Sequence, residues 1–246
     1  MGRITRSFAV TTHSRNDDTI TTDTRAGFVV VEEPLEIHAG GQQLVRLMRS
    51  PGNDLELVHG WLFSRGLITA QQQVSSARYC AGATGPNGEN SYNVVEVDLV
   101  AAPEEAVSSA APVELSPHAI YRVPGQLAEL AKPFRRLSHV HTAGAFDHEG
   151  GLQEGFADIN ATNAVDKVVG SLVLEGNGHM AELFLGTTAD VDQSLVHLVR
   201  NAGFTGLITL GEVSSAAVET ARESDFTLVG KCSPERFSVY AGSARR

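Results

Sequence analysis

Short runs in which apolar and polar residues alternate dominate the N-terminal half of the chain and predict β-strands. Residues 27–50 form two such runs, and the glycine pair 40–41 between them predicts the turn of a hairpin. Apolar residues then recur at helical spacing over 57–62 and predict a helix that Gly66 ends. Alternation returns over 91–100 and predicts one further strand.

Two stretches lack periodic apolar residues. Residues 1–26 are polar and rich in threonine, and we predict a loose segment there. Residues 101–117 are rich in Ala, Pro and Ser and predict a linker. We therefore predict a small α+β domain over residues 1–115, which ends in this linker, and an α/β domain over residues 116–246.

The second half of the chain alternates between strand and helix patterns. A short helix flanked by prolines is predicted over residues 123–134. Longer helical patterns cover 163–175, 190–201 and 214–224, and apolar runs between them predict short strands. Elements in β-α-β order imply parallel pairing with helices packed on the faces of the sheet. The predicted fold class is α/β, with an α+β N-terminal part.

Composition and charge narrow the classes of function. The 246 residues are 42% hydrophobic and carry a formal charge of −10, and such an acidic surface repels the phosphates of nucleic acids. No apolar run approaches the roughly 20 residues that span a bilayer, and the first residues lack the apolar core of a signal peptide. We therefore expect a cytoplasmic protein that binds neither nucleic acid nor membrane. Cys80 and Cys232 lie far apart and are expected to be free thiols.

The helix predicted over 163–175 begins with polar residues that helix capping explains only in part. Asn160 or Thr162 can accept a hydrogen bond from the first turn. Asp166 and Lys167 are not needed for capping, and a lysine near a helix N-terminus opposes the helix dipole. Both the lysine and the dipole would favour an anionic ligand. A plain helix start and one wall of a ligand site are both open interpretations.

Histidines and cysteines offer weaker candidates for chemistry. His139 and His141 would lie on one face of a strand, with His148 nearby, which can suggest zinc. The spacing is loose, so we favour surface or hydrogen-bonded histidines and expect no metal site. Neither Cys80 nor Cys232 has a neighbouring base in the sequence that would make it a nucleophile.

Five segments, in this order, resemble the formate dehydrogenase accessory protein (FdhD) family. They are EEPLEIHAGG, LMRSPGNDLELVHGWLFSRGLI, HTAGAFD, NAVDKVVG and FTLVGKCSPERFSVYAG, and the similarity extends from near Val31 to Gly242. The resemblance implies a C-terminal domain of cytidine-deaminase-like three-layer topology and a homodimer. It also implies delivery of sulfur to the molybdenum cofactor, with a cysteine desulfurase and formate dehydrogenase as partners.

The resemblance further implies a binding site for the guanine dinucleotide form of the molybdenum cofactor, which we expect not to be tightly held. The positions that match the family's motifs are His141, Asn163, Asp166, Lys167, Phe237, Ser238, Val239, Tyr240, Ala241 and Gly242.

This sequence departs from the family in three places. The family's CxxC loop should lie between residues 100 and 123, where this chain has no cysteine. The charged approach to NAVDK retains only Asp158, without the family's two arginines and its histidine. The family's SGR turn is here Thr188-Ala189-Asp190. Because arginine forks are the natural partners of phosphate, these losses weaken a pyrophosphate site.

Three functions follow from these observations. The first is an accessory protein of molybdoenzyme maturation that binds the cofactor or a partner and has lost persulfide transfer. The second is an active sulfurtransferase that uses Cys80 or Cys232. The third is a non-catalytic subunit that pairs with a complete FdhD protein. Whether the chain is an enzyme stays open at this point.

Overall fold

The structure is a computed structural model, and it describes residues 4–80, 93–101, 115–134, 137, 140–176 and 179–242. Most of the predicted linker and His139 lie outside these ranges. The domain boundary placed in the linker therefore stays a prediction. Within the described ranges, no helix has the length and apolar character that crossing a bilayer requires.

A long β-hairpin occupies the N-terminal stretch that was predicted to be loose. Strand β1 (Thr5–Asn16) pairs antiparallel with β2 (Thr19–Val30) along its whole length. Asp17 in the connecting turn has a φ of 53°. The prediction was wrong because it weighed only the polarity of the segment. Threonine is β-branched and favours extended backbone even where neither face is buried.

A four-stranded sheet follows, formed by β3 (Glu33–Ala39), β4 (Gln42–Arg49), β5 (Val74–Tyr79) and β6 (Val94–Leu99) in the order β4-β3-β6-β5. The central β3–β6 pair is parallel, and the two outer pairs are antiparallel. The predicted hairpin at Gly40-Gly41 and the strand at β6 are confirmed, whereas β5 was not predicted.

Helix α1 (Asp54–Ser64) covers one face of this sheet. Its apolar residues recur at helical spacing, as the sequence predicts, and Gly66 follows its end with a φ of 71°. The shared core contains Leu57, Val58, Trp61 and Leu62 from the helix and Leu35, Ile37, Val95 and Val97 from the strands.

The rest of the chain forms a six-stranded sheet with helices on both faces. Its elements are α2 (Pro117–Leu130), β7 (His141–Phe146), β8 (Leu152–Asp158), α3 (Ala161–Leu174), β9 (Phe184–Thr187), α4 (Gln193–Asn201), β10 (Gly206–Thr209), α5 (Ser215–Glu223), β11 (Thr227–Gly230) and β12 (Ser238–Ala241). The strand order is β8-β7-β9-β10-β11-β12, with β9, β10 and β11 parallel. Side chains alternate across the sheet, so that Ile208 faces α2 and Leu207 faces the other three helices. The α/β class and the three-layer arrangement are confirmed.

Helix α2 begins six residues earlier than the sequence predicted and carries Pro124 in its interior. Proline has no N–H, so the carbonyl of Ile120 loses its usual helical partner. The thiol of Cys232 lies 3.6 Å from that carbonyl oxygen and donates to it. This contact supplies the partner that the proline removes, and the helix continues through a residue that the sequence marks as a boundary.

Helices α1 and α3 cross at two glycines. A Cβ built on Gly60 would overlap the carbonyl oxygen of Asp166, and one built on Gly170 would overlap that of Glu56. The two backbones are therefore in direct contact, which only glycine permits at these positions. The crossing joins the four-stranded sheet and its helix to the six-stranded sheet.

Candidate functional site

On one side of the six-stranded sheet, the strand ends bring together residues from both ends of the C-terminal part of the chain. We call this row of strand ends the sheet edge. The parallel strands β9, β10 and β11 end there, at Thr187, Thr209 and Gly230. The neighbouring antiparallel strands β7 and β12 begin there, at His141 and Ser238. Ligands of open α/β sheets bind outside the carboxyl ends of the parallel strands, which makes this edge the candidate site.

Two adjoining clefts open at this edge, and Asp192 lines both of them. The first cleft has a volume of about 510 Å³ and lies between the end of α1, the start of α3 and the length of α4. The second has a volume of about 400 Å³ and lies between the starts of α4 and α5. Polar residues of the first cleft are Ser64, Arg65, Thr162, Asp192, Ser194, His197 and Asn201, and those of the second are Asp190, Asp192, Glu212 and Ser214.

Lys167 and Asp158 form an ion pair beneath the edge. The Lys167 Nζ lies 2.7 Å from the Asp158 Oδ2, and both side chains are buried. The same Nζ donates to the carbonyl of Ser50 at 3.0 Å, and the Ser50 N–H donates to Asp158 at 3.2 Å. The amide of Asn163 donates to the carbonyl of Met48 at 2.7 Å. These contacts tie α3 to the turn after β4, and the ligand roles implied for Asn163 and Lys167 stay predictions.

Asp166 faces the end of α1. Its carboxylate accepts hydrogen bonds from Arg65 Nη1 at 3.0 and 3.1 Å and from Ser64 Oγ at 3.0 Å. Burial raises the pKa of Asp166 to about 6, while the Arg65 guanidinium and the Ser64 hydroxyl oppose that rise. Arg65 also stacks on the Trp61 ring, with its Cζ 4.9 Å from the ring centroid. Asp166 of α3 thereby positions the Arg65 side chain, which lines the first cleft.

Replacing Asp166 with asparagine is expected to change how stability depends on pH. The pKa of Asp166 is about 6 in the folded protein and about 3.9 in an unfolded chain. The stability that this carboxyl contributes is therefore complete below about pH 4 and is lost as the pH rises through about 6. Relative to Asp166→Asn, the wild-type free energy of unfolding should fall by on the order of 3 kcal/mol between pH 4 and pH 7, as measured by urea unfolding.

Asp98→Asn is the control for this pH dependence. Hydrogen bonds from Ser76 and Arg78 lower the pKa of the exposed Asp98. Its contribution is therefore present above its unfolded pKa and lost as the pH falls, which is the opposite sign. Parallel stability curves for the wild type and Asp166→Asn would contradict the role of Asp166.

His141 and the residues of β12 are distributed around the edge. His141 is half-buried beside Thr142, whose N–H donates to Thr188 Oγ1 at 2.9 Å. Tyr240 packs with the cluster under α3, α4 and α5. Phe237 packs on the opposite face against Tyr121, with ring centroids 5.1 Å apart.

The remaining residues of the C-terminal motif also differ in their surroundings. Ser238 and Val239 are exposed, Ala241 is buried, and Gly242 has a φ of 76°. The residues of the motif therefore lie on both faces of the sheet and do not form one continuous surface. The ligand role implied for these residues stays a prediction.

The charges at the edge do not fit a pyrophosphate. The second cleft carries three carboxylates, those of Asp190, Asp192 and Glu212, and the Lys231 ammonium is already 2.9 Å from Glu212. At the helix starts, the Asn160 side chain accepts from two first-turn N–H groups, and those of Asp192 and Ser214 accept from one each. The described residues of the second cleft therefore lack the cationic cradle that the phosphates of a guanine dinucleotide need.

The two thiols occupy different environments. Cys232 is buried, and burial raises the pKa of its thiol to about 11. Cys80 is half-buried at the end of β5, where its N–H donates to the carbonyl of Val94 at 3.0 Å. In the described part of the chain, no three His, Cys, Asp or Glu side chains group as metal ligands, and His148 is exposed.

Sequence reasoning missed three cationic or titratable residues near the site. Arg65 and His197 line the first cleft. The one sequence signal at these two residues is that Arg65 stands just before Gly66 at the end of a helix. Arg49 is buried and binds Asp54 through two hydrogen bonds of 2.8 Å. No periodic pattern distinguishes a buried arginine in a strand from an exposed one.

The fold first defines the class of protein. The architecture is similar to the crystal structure of a protein from Desulfotalea psychrophila described as a formate dehydrogenase accessory protein, with a TM-score of 0.77 and 22% sequence identity. The similarity covers 96% of this chain and 97% of that one. The two chains therefore share one fold over almost their whole length.

Sequence comparisons then identify the family. Residues 30–246 match the model of the FdhD/NarQ family. A relative named sulfur carrier protein FdhD, from Corynebacterium efficiens, is 35% identical over 98% of this chain and 99% of its own length. A relative of the same name from Nocardia farcinica is 35% identical over 90% of this chain and 88% of its own. This chain belongs to the FdhD/NarQ family, as the resemblance of its motifs predicted.

Proposed function

We propose that this chain is an accessory protein of formate dehydrogenase maturation that does not relay sulfur through a cysteine loop. Membership of the FdhD/NarQ family and the name of its relatives, sulfur carrier protein FdhD, support a role in the maturation of that enzyme. The single observation that carries the second half of the proposal is the absence of cysteine between β6 and α2. Persulfide relay needs a thiolate at the point of transfer.

The buried thiol is a poor substitute for a loop cysteine. A thiol with a pKa of about 11 is ionised in only about one molecule in ten thousand at pH 7. Cys232 also donates to the Ile120 carbonyl inside the fold. We therefore propose that Cys232 has a structural role, and that the protein acts by binding a protein partner, either its client enzyme or another FdhD/NarQ protein.

The test is persulfidation by a cysteine desulfurase. The protein is incubated with the desulfurase and cysteine, and its intact mass is measured before and after reduction. No reducible gain of one sulfur atom is expected, whereas a family member that has the loop cysteines should gain one under the same conditions. A reducible gain that Cys232→Ser abolishes would overturn the proposal, because Cys232 would then carry sulfur.

Cys80 supports a second candidate function, a sulfur carrier with a relocated cysteine. It is the less buried of the two thiols and lies at the end of an outer strand of the four-stranded sheet. A mass gain that Cys80→Ser abolishes and Cys232→Ser preserves would favour this function. We propose the cytoplasm as the location for either function, since both cysteines are free.

The charges at the sheet edge lead to an expected result with nucleotide. Because Asp190, Asp192 and Glu212 oppose a pyrophosphate, GDP at about 1 mM should raise the Tm by less than about 1 °C. Asp190→Arg restores a cation at the SGR position and should increase that shift, whereas Asp225→Arg, on the turn after α5, should not. A large shift in the wild type would contradict this expectation, because the edge would then bind a guanine nucleotide despite its carboxylates.

A further inference from the structure

The hairpin of β1 and β2 stands apart from both packed units. The two strands form a sheet of their own, in which nearly every residue is exposed. Isolated two-stranded hairpins are marginally stable in water. This one also leaves Phe8, Val10, Ile20 and Phe28 between 39 and 69% exposed. It precedes the residues that match the family model, which begin at residue 30.

The outer edge of β2 is open and unprotected. Within the described ranges no other strand pairs with it, and its ladder with β1 runs without a bulge. Proteins block such edges with proline, lysine or bulges, and β2 contains neither proline nor lysine. The strand therefore presents a long row of free backbone groups to another strand.

The sequence of β2 is self-complementary about Thr24. If two copies of β2 lie antiparallel with Thr24 opposite the partner's Thr24, Asp23 lies opposite the partner's Arg25. In the same register, Ile20 lies opposite the partner's Phe28. Each pair occurs twice by symmetry, and both are pairs that stabilise antiparallel sheets.

Inside the hairpin, Asp23 and Arg25 of β2 lie 3.0 Å apart, whereas the residues of β1 opposite Arg25 and Ile20 match them poorly. Arg25 lies opposite Val10, and Ile20 lies opposite Arg15. Strand β1 offers no equivalent register, because it contains two arginines and no acidic residue. The opposite charges that could pair across a two-fold axis are found in β2.

We propose that β2 pairs with β2 of a second copy around a two-fold axis at Thr24, which joins the two hairpins into one four-stranded sheet. The interface is isologous, and it covers the open edge of both copies at once. It places a homodimer contact in a segment outside the family match. It does not depend on the function proposed above.

Disulfide trapping tests the register. In a Cys80→Ser background, Thr24→Cys places two thiols opposite each other on the axis, and mild oxidation should yield a covalent dimer. Thr11→Cys is the matched control, because Thr11 is its exposed neighbour on β1, with the two Oγ1 atoms 2.9 Å apart. The control should form no covalent dimer. Trapping of Thr11→Cys as readily as Thr24→Cys, or of neither, would overturn the proposal.

Charge reversal tests the interface without a covalent bond. Sedimentation equilibrium should show that Arg25→Asp raises the dimer Kd by about tenfold or more, because like charges then face each other twice. The double variant Asp23→Arg/Arg25→Asp restores opposite charges and should return the Kd to within about threefold of the wild type. Arg6→Asp, the same charge change on β1, should leave it unaltered.

The remaining outcomes of this experiment all count against the interface. A wild-type protein that is monomeric at about 100 µM would overturn the proposal and leave the edge of β2 to a different chain. So would a dimer that Arg25→Asp does not weaken, or one that the double variant fails to restore. In these last two cases, the self-association would lie on another surface.

Discussion

Replacing Gly170 with alanine is expected to lower the free energy of unfolding by about 3 kcal/mol or more. The added Cβ would overlap the carbonyl oxygen of Glu56 and lie 2.7 Å from the backbone nitrogen of Gly60. Both atoms belong to the main chain of α1, so no rotamer change relieves the overlap. The helices must separate, and the contacts along their crossing are then weakened together.

Thermal unfolding measures this effect against a matched glycine. For a chain of this size, about 3 kcal/mol corresponds to a fall in Tm of roughly 10 °C. Gly125 lies in the helix α2 with open space around its Cβ position, and Gly125→Ala should stabilise by up to about 1 kcal/mol through helix propensity alone. If Gly170→Ala also melts at or above the wild-type temperature, the direct backbone contact is not present.

Replacing Lys167 with methionine is the second change with a large expected effect. It leaves the carboxylate of Asp158 buried without its cation, and the loss of one partner from a buried pair costs about 3–5 kcal/mol. The double variant Asp158→Asn/Lys167→Met removes both charges while the asparagine keeps an acceptor for the Ser50 N–H. We expect it to recover more than half of the loss in urea unfolding.

An exposed ion pair provides the comparison. Lys132 pairs with Glu129 at the surface, where both side chains are more than 60% exposed. The same substitution, Lys132→Met, should cost no more than about 1 kcal/mol. Equal losses for Lys132→Met and Lys167→Met would mean that burial does not set the strength of the inner pair.

Local features of the fold were readable from the sequence because their causes lie within a few residues. The Asn160 cap, the apolar face of α3 and the hairpin at Gly40-Gly41 all depend on spacing along the chain, and the structure contains each of them. The hairpin of β1 and β2 was missed because neither face is buried, which removes the alternation of apolar residues that marks a strand.

The contacts at the site could not be read in this way, since their partners lie far apart in sequence. Ser50 is 117 residues from Lys167, and Arg65 is 101 residues from Asp166. The NAVDK motif shows which side chains are unusual at a helix start. It does not show that α1 and the turn after β4 supply their partners. The motif resemblance suggested that these side chains bind a ligand. The structure shows the protein groups to which they are hydrogen-bonded.

The meeting of Gly60 and Gly170 bears on how the first cleft receives a ligand. Packed helices usually slide or rotate by small changes in the side chains between them. Two main chains in direct contact have no side chains between them that could adjust. We therefore expect the wall of the cleft that carries Arg65 to be as rigid as the helices themselves. We likewise expect the opening to be preset, so that a ligand placed in this cleft would be selected by its shape and charge, with little contribution from closure around it.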